Sequence, residues 1–180
     1  MSEPLKSNKR PLHWEKVVTF SDRLAIIAGT FFGSGLLPKA PGTWGTLAAM
    51  PVAYYLNQTG VFGFKLSAWI FLFCAGVWAG KKFQELFGHA DNQNIVMDEV
   101  VGLGITAWTA GDNLLTYAAC FVAFRFFDIV KVPPVRQLDR WSKNASGPWL
   151  SGLGVMVDDV LAGFQALVVI LFLQHFGILG

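Results

Sequence analysis

Two short stretches of this chain carry adjacent acids followed by small or branched apolar residues. They are Val96-Met97-Asp98-Glu99-Val100-Val101-Gly102 and Met156-Val157-Asp158-Asp159-Val160-Leu161-Ala162-Gly163. Carboxylates next to apolar segments are costly, and two doublets together suit a hard divalent cation bound through oxygen, Mg²⁺ above all. One acid at a helix start is expected from the helix dipole alone; two adjacent ones are less simply explained. A third stretch, Phe124-Arg125-Phe126-Phe127-Asp128-Ile129-Val130-Lys131, puts Arg125 and Asp128 three residues apart, on one face of a helix. They read either as a structural ion pair or as part of a site. With Lys131, Arg136 and Arg140 close behind, this stretch supplies cations that could hold phosphate oxygens. A fourth, Gly33 to Thr46, combines glycines, prolines and hydroxyls around Lys39 and Thr43 just before an apolar segment. Such a loop can turn backbone N–H groups toward an anion, or be only a tight connection.

The elements that must position these residues are predicted to be helices in a membrane. The chain of 180 residues is 53% hydrophobic and 14% charged, with mean hydropathy +0.46. A soluble domain carries about 25% charged residues. A very apolar soluble bundle is the alternative. Apolar blocks are expected at 24–37, 45–57, 61–80, 100–110, 114–130 and 160–179, with turns at Asn57–Gly60 and Gly111–Asn113. Blocks 45–57 and 100–110 fall short of the roughly 20 residues a straight span needs, so they extend into the polar motifs or stop partway. Tryptophans 44, 69, 78, 108, 141 and 149 lie mostly near block ends, as an interfacial belt requires. The last block is expected to open on Asp158-Asp159. The fold class is therefore all-α: a multi-pass helical membrane bundle with short or broken helices. Residues 1–23 form a basic extension without the pattern of a cleaved signal, and 24–180 a single domain.

Thirteen of the fourteen Lys and Arg fall on the side away from the two turns, Lys65 being the exception, so that side is expected to face the cytoplasm. Eleven of the twelve acids fall there too, all but Asp112, and the polar site with them. A net charge of +2 gives no reason to expect nucleic acid. Cys74 and Cys120, both inside apolar runs, read as buried small hydrophobes. The histidines 13, 89 and 175 have no ligand spacing.

Taken together, GSGLLPKAPGTWGTLAAMP (33–51), NIVMDEVVG (94–102), FRFFDIVKVPPVRQLDR (124–140) and GVMVDDVLAG (154–163) closely resemble the phosphatidylglycerophosphatase A family, in that family's order. Lys131-Val132-Pro133 departs from the Lys-Pro usual there. The resemblance implies a Mg²⁺-dependent lipid phosphatase of the bacterial inner membrane, converting phosphatidylglycerol phosphate to phosphatidylglycerol. It implies a metal site at Asp98, Glu99, Asp158 and Asp159, and Asp128 as a further ligand, base or nucleophile. Lys39, Thr43, Arg125, Lys131, Arg136 and Arg140 become candidates for phosphate and head-group binding. Asp98, Asp128 and Asp158 are the candidate catalytic residues. A lipid-linked transferase that also uses Mg²⁺, or a non-enzymatic transporter, are the alternatives.

Overall fold

The computed structural model of the chain describes residues 12–89, 92–138 and 147–179. Among them there are helices and turns and no strand.

Helix α1, Phe20–Gly29, starts at a reciprocal cap. Thr19 Oγ1 accepts from Asp22 N–H at 3.1 Å, and Asp22 Oδ2 accepts from Thr19 N–H at 2.9 Å. Those two hydrogen bonds, with Lys82 at 3.2 Å from the other oxygen, hold the Asp22 carboxyl down at about 2. The chain then turns sharply through Phe31, Phe32 and Gly33, all at positive φ. Thr30 steadies the turn: its hydroxyl donates to Ile26 O at 2.7 Å and accepts from Gly33 N–H at 3.1 Å. Helix α2, Pro41–Gln58, begins with proline in its first turn, where the missing N–H costs nothing.

Helix α3, Phe62–Phe87, and the last helix, which we label α6, Pro148–His175, are long and apolar enough to cross a membrane, with mean hydropathies of 1.6 and 2.1. Only 17% of the apolar stretch of α3 is buried within the protein, unlike the core helix of a soluble domain. Helix α5, Leu114–Val130, starts at Asn113, whose side chain accepts from Leu115 N–H at 2.9 Å. Helix α4, Met97–Thr106, is about 15 Å long, half the thickness of a bilayer core. It is the centre of the molecule: Val100 and Leu103 are fully buried, and α2, α3, α5 and α6 all pack on it.

Three expectations are corrected here. The last helix does not open on Asp158-Asp159; it starts ten residues earlier, at Pro148. Gly152 and Gly154 look like loop residues, but in the helix Gly152 lies so close to α3 that an added Cβ would meet Val77 O at 2.4 Å. Trp69 is not at an interface: it is 5% exposed, with its ring against Gly104. Cys74 is exposed on α3, while Cys120 is buried as expected.

Far from the acidic doublets, a second polar group ties four helix ends together. Asn57 Nδ2 donates to Ala107 O at 2.7 Å and to the Tyr117 hydroxyl at 2.8 Å. Lys65, the cation apart from all the others, donates to Asn57 Oδ1 and Trp108 O and lies over the Trp108 ring. These bonds satisfy carbonyls left open at the end of α4.

Candidate active site

The site is built by a close helix crossing. Gly102 on α4 and Gly163 on α6 meet backbone to backbone: a Cβ added at Gly163 would lie 2.5 Å from Gly102 O. Thr106 Oγ1 seals the crossing, donating to Gly102 O at 2.9 Å, with Gly163 O at 3.2 Å. Small residues permit this approach, as at helix contacts within bilayers. In each helix an acid stands four residues before the glycine, on the same face: Asp98 before Gly102, Asp159 before Gly163. The crossing therefore carries the two acids to one place. One ligand atom each from Asp98, Glu99 and Asp159 lie within 4.8 Å of one another.

Basic residues close two sides. Arg125 on α5 pairs with Asp128 one turn later and stands 3.8 Å from Glu99 Oε1. Lys131, in a left-handed conformation at the end of α5, donates to Asp158 at 2.8 Å. The first turn of α2 forms a third wall, with Gly42 against Glu99 and Arg125. No side chain caps that turn.

So much negative charge in so little water is unfavourable by itself. Burial pushes the Asp98 carboxyl well above the usual carboxylate range, and the Glu99 and Asp158 charges push the same way. Glu99 is raised to about 8, first by burial; the Asp98 hydrogen bond and Arg125 oppose, while Asp159 and Asp128 add to the rise. Glu99 Oε2 is buried and has no hydrogen-bond partner. An orphaned carboxylate oxygen among three convergent acids is what a bound cation would satisfy, so the donor set fits a hard divalent ion.

The structure thus brings Asp98, Glu99 and Asp159 together, with Arg125 and Lys131 beside them. Asp158 and Asp128 lie next to this group but face cations: Lys131 and Arg125 respectively. Thr43 is half-buried in the α2 turn that touches Glu99. Lys39, in the loop before α2, and Arg136, in the helical residues 135–138, are exposed, and neither makes an ion pair among the described residues. Arg140 lies outside the described residues. Two contributors escaped the sequence reading. Gly42 owes its place to packing, which composition does not reveal. Gln165 donates to Pro133 O at 2.9 Å and so holds the loop behind Lys131; a lone amide in the apolar run 160–173 was its signal.

A helical protein with clustered carboxylates, flanking cations and two apolar helices of membrane-spanning length has the features of an enzyme acting on a phosphorylated lipid. Comparison with known proteins narrows this. The sequence profile of phosphatidylglycerophosphatase A matches residues 27–174. The chain belongs to the phosphatidylglycerophosphatase A family, and is an enzyme of the phosphatase class. It is 36% identical over 150 residues to phosphatidylglycerophosphatase A of Escherichia coli, covering 83% of each chain. It is 37% identical over 146 residues to the Haemophilus influenzae enzyme of that name, covering 80% of this chain and 85% of the relative. A Bacteroides thetaiotaomicron protein with the provisional name phosphatidylinositol-3-phosphatase is 38% identical over 154 residues, covering 82% and 91%. No solved structure is significantly similar to the chain.

Proposed function

We propose that this enzyme hydrolyses the terminal phosphate of phosphatidylglycerol phosphate, giving phosphatidylglycerol and inorganic phosphate, at the cytoplasmic face of a bacterial inner membrane. The observation that carries the reading is the convergence of Asp98, Glu99 and Asp159 around the unpartnered Glu99 Oε2, with Arg125 and Lys131 alongside. A Mg²⁺ ion held by those three carboxylates would supply charge neutralisation and Lewis acidity at a phosphoryl oxygen.

The chain's own groups supply the rest. Arg125 has N–H donors beyond those used by Asp128 and Glu99, in the planar geometry that suits phosphate oxygens. The first turn of α2, which no side chain caps, brings a positive dipole end to the same anion. Asp128 orients Arg125, a role its ion pair favours over that of nucleophile. Lys131 pairs with the Asp158 carboxylate and holds it beside the acids. Water attacks phosphorus in line with the departing glycerol oxygen, the P–O bond to glycerol breaks, and the proton released by water ends on the glycerol hydroxyl.

Membrane seating rests on α3 and α6, and on large apolar side chains left exposed on several helices, among them Phe71, Val122, Ile129, Val168 and Phe172. The short α4 runs from the acids to the polar hub where α2 ends and α3 and α5 begin, so the site lies toward the opposite edge of the bilayer, where a lipid head group meets water. The cation excess on that side supports the cytoplasmic orientation.

The test is phosphate release by purified full-length protein in mixed micelles, with and without Mg²⁺. Phosphatidylglycerol phosphate and phosphatidylinositol 3-phosphate serve as parallel substrates, since named relatives differ between the two. Preferred, Mg²⁺-dependent turnover of the first is expected, and Asp98→Asn and Asp159→Asn are each expected to abolish it in folded protein. Near-normal turnover by both variants would refute the metal assignment, and release only in the presence of an acceptor alcohol would indicate a transferase.

A further inference from the structure

Beside α1 lies an open groove of about 430 Å³ that the reaction does not use. Its walls are apolar: Trp14 and Val17 from the segment before α1, Ile26 and Ile27 from α1, and Leu36 from the following turn. Arg23 stands on its rim, and no acid lines it. Neighbouring cations are occupied, Lys82 by Asp22 and Glu85, and Lys81 by Glu85. Arg23 makes no ion pair among the described residues, and the nearby Glu15 is turned to His13. Around the groove, Val18, Phe20 and Phe32 are 73%, 76% and 83% exposed.

An apolar trough lined by an arginine and by no acid, next to the exposed Phe20 and Phe32, matches a ligand with a hydrocarbon tail and an anionic head. We propose that this groove binds one acyl chain of an anionic phospholipid, with the lipid phosphate on Arg23. The inference rests on the membrane seating proposed above, and it concerns a bilayer lipid rather than the substrate. None of the lining residues belongs to the carboxylate site. The turn that supplies Gly33 and Leu36 to the groove also packs Gly35 on the Asn94 carbonyl, close to the start of α4. A lipid seated there holds the enzyme's edge in the head-group layer.

Tryptophan quenching by brominated acyl chains tests this. Full-length protein is placed in vesicles of phosphatidylcholine containing either brominated phosphatidylserine or brominated phosphatidylcholine at equal mole fraction. Phosphatidylserine is neither substrate nor product of the proposed reaction. The contribution of Trp14 is taken as the difference between wild type and Trp14→Phe. We expect brominated phosphatidylserine to be favoured about fivefold at Trp14, the factor given by about 1 kcal/mol per cation at an anionic surface. Arg23→Gln should remove the preference and Arg23→Lys retain it. Equal quenching by both lipids overturns the anionic site. Quenching of other tryptophans without Trp14 overturns the groove, and quenching of none overturns the membrane seating itself. Phosphate release, measured on the same samples, reports separately on the catalytic reading.

Discussion

Gly42 offers a substitution that separates fold from site. A methyl group there would lie 2.2 Å from Glu99 Oε1 and 2.9 Å from an Arg125 nitrogen, more than 1 Å inside the 3.4 Å at which ordinary contact begins for the first. Its φ is not in the left-handed region, so alanine takes the same backbone. In a helix alanine is favoured over glycine by up to about 1 kcal/mol. The clash falls on the ends of two side chains rather than on backbone. Glu99 must therefore move by about 1 Å, at small cost to folding, and a misplacement of that size can lower turnover about 10²-fold. Gly42→Ala should unfold within about 4 °C of wild type, while phosphate release falls by about two orders of magnitude and needs more Mg²⁺. Gly63→Ala, where an added Cβ meets nothing within 4 Å, is the control and should leave both unchanged. Thermal unfolding and a Mg²⁺ titration of phosphate release measure the two effects. Wild-type turnover and Mg²⁺ dependence in folded Gly42→Ala would refute the placement of Glu99 in the site.

At the crossing itself the clash is backbone against backbone, so Gly163→Ala should lose stability, by about 1–3 kcal/mol, as well as activity; thermal unfolding read beside phosphate release distinguishes it from Gly42→Ala. Asn57→Ala removes a half-buried hub far from the acids and should cost about 1–3 kcal/mol of stability, with turnover per folded molecule unchanged. Asp22 has a depressed carboxyl, so its contribution to stability is complete above about pH 4 and is lost as pH falls through about 2. Asp22→Asn should be less stable than wild type at neutral pH, and the gap should close between about pH 4 and pH 2 in acid-unfolding curves.

Much of this arrangement was legible in the residues. Block 114–130 coincides with α5, and Pro41 opens α2 as proline in a first turn should. The doublets could be read because charge is rare in apolar runs. What could not be read was contact at close range. Gly152 looks like a break in the last helix until α3 is seen to need the space. Trp69 belongs to the interior because Gly104 leaves room for its ring, a pairing across 35 positions that no local pattern encodes.

The same limit explains why four acids were grouped as equal ligands. Adjacent positions on a helix point about 100° apart, so the two side chains of a doublet leave the helix in different directions, and a longer side chain is needed to bring the second to the same spot. Inside α6, Asp159 faces the crossing and Asp158 turns to Lys131. In the first turn of α4 the longer Glu99 side chain reaches the space that Asp98 shares, and both contribute. The doublets thus act differently although their sequences echo each other. In each, the informative feature is an acid with a glycine one turn later: the glycine sets how closely the helices approach, and the approach decides which carboxylates meet.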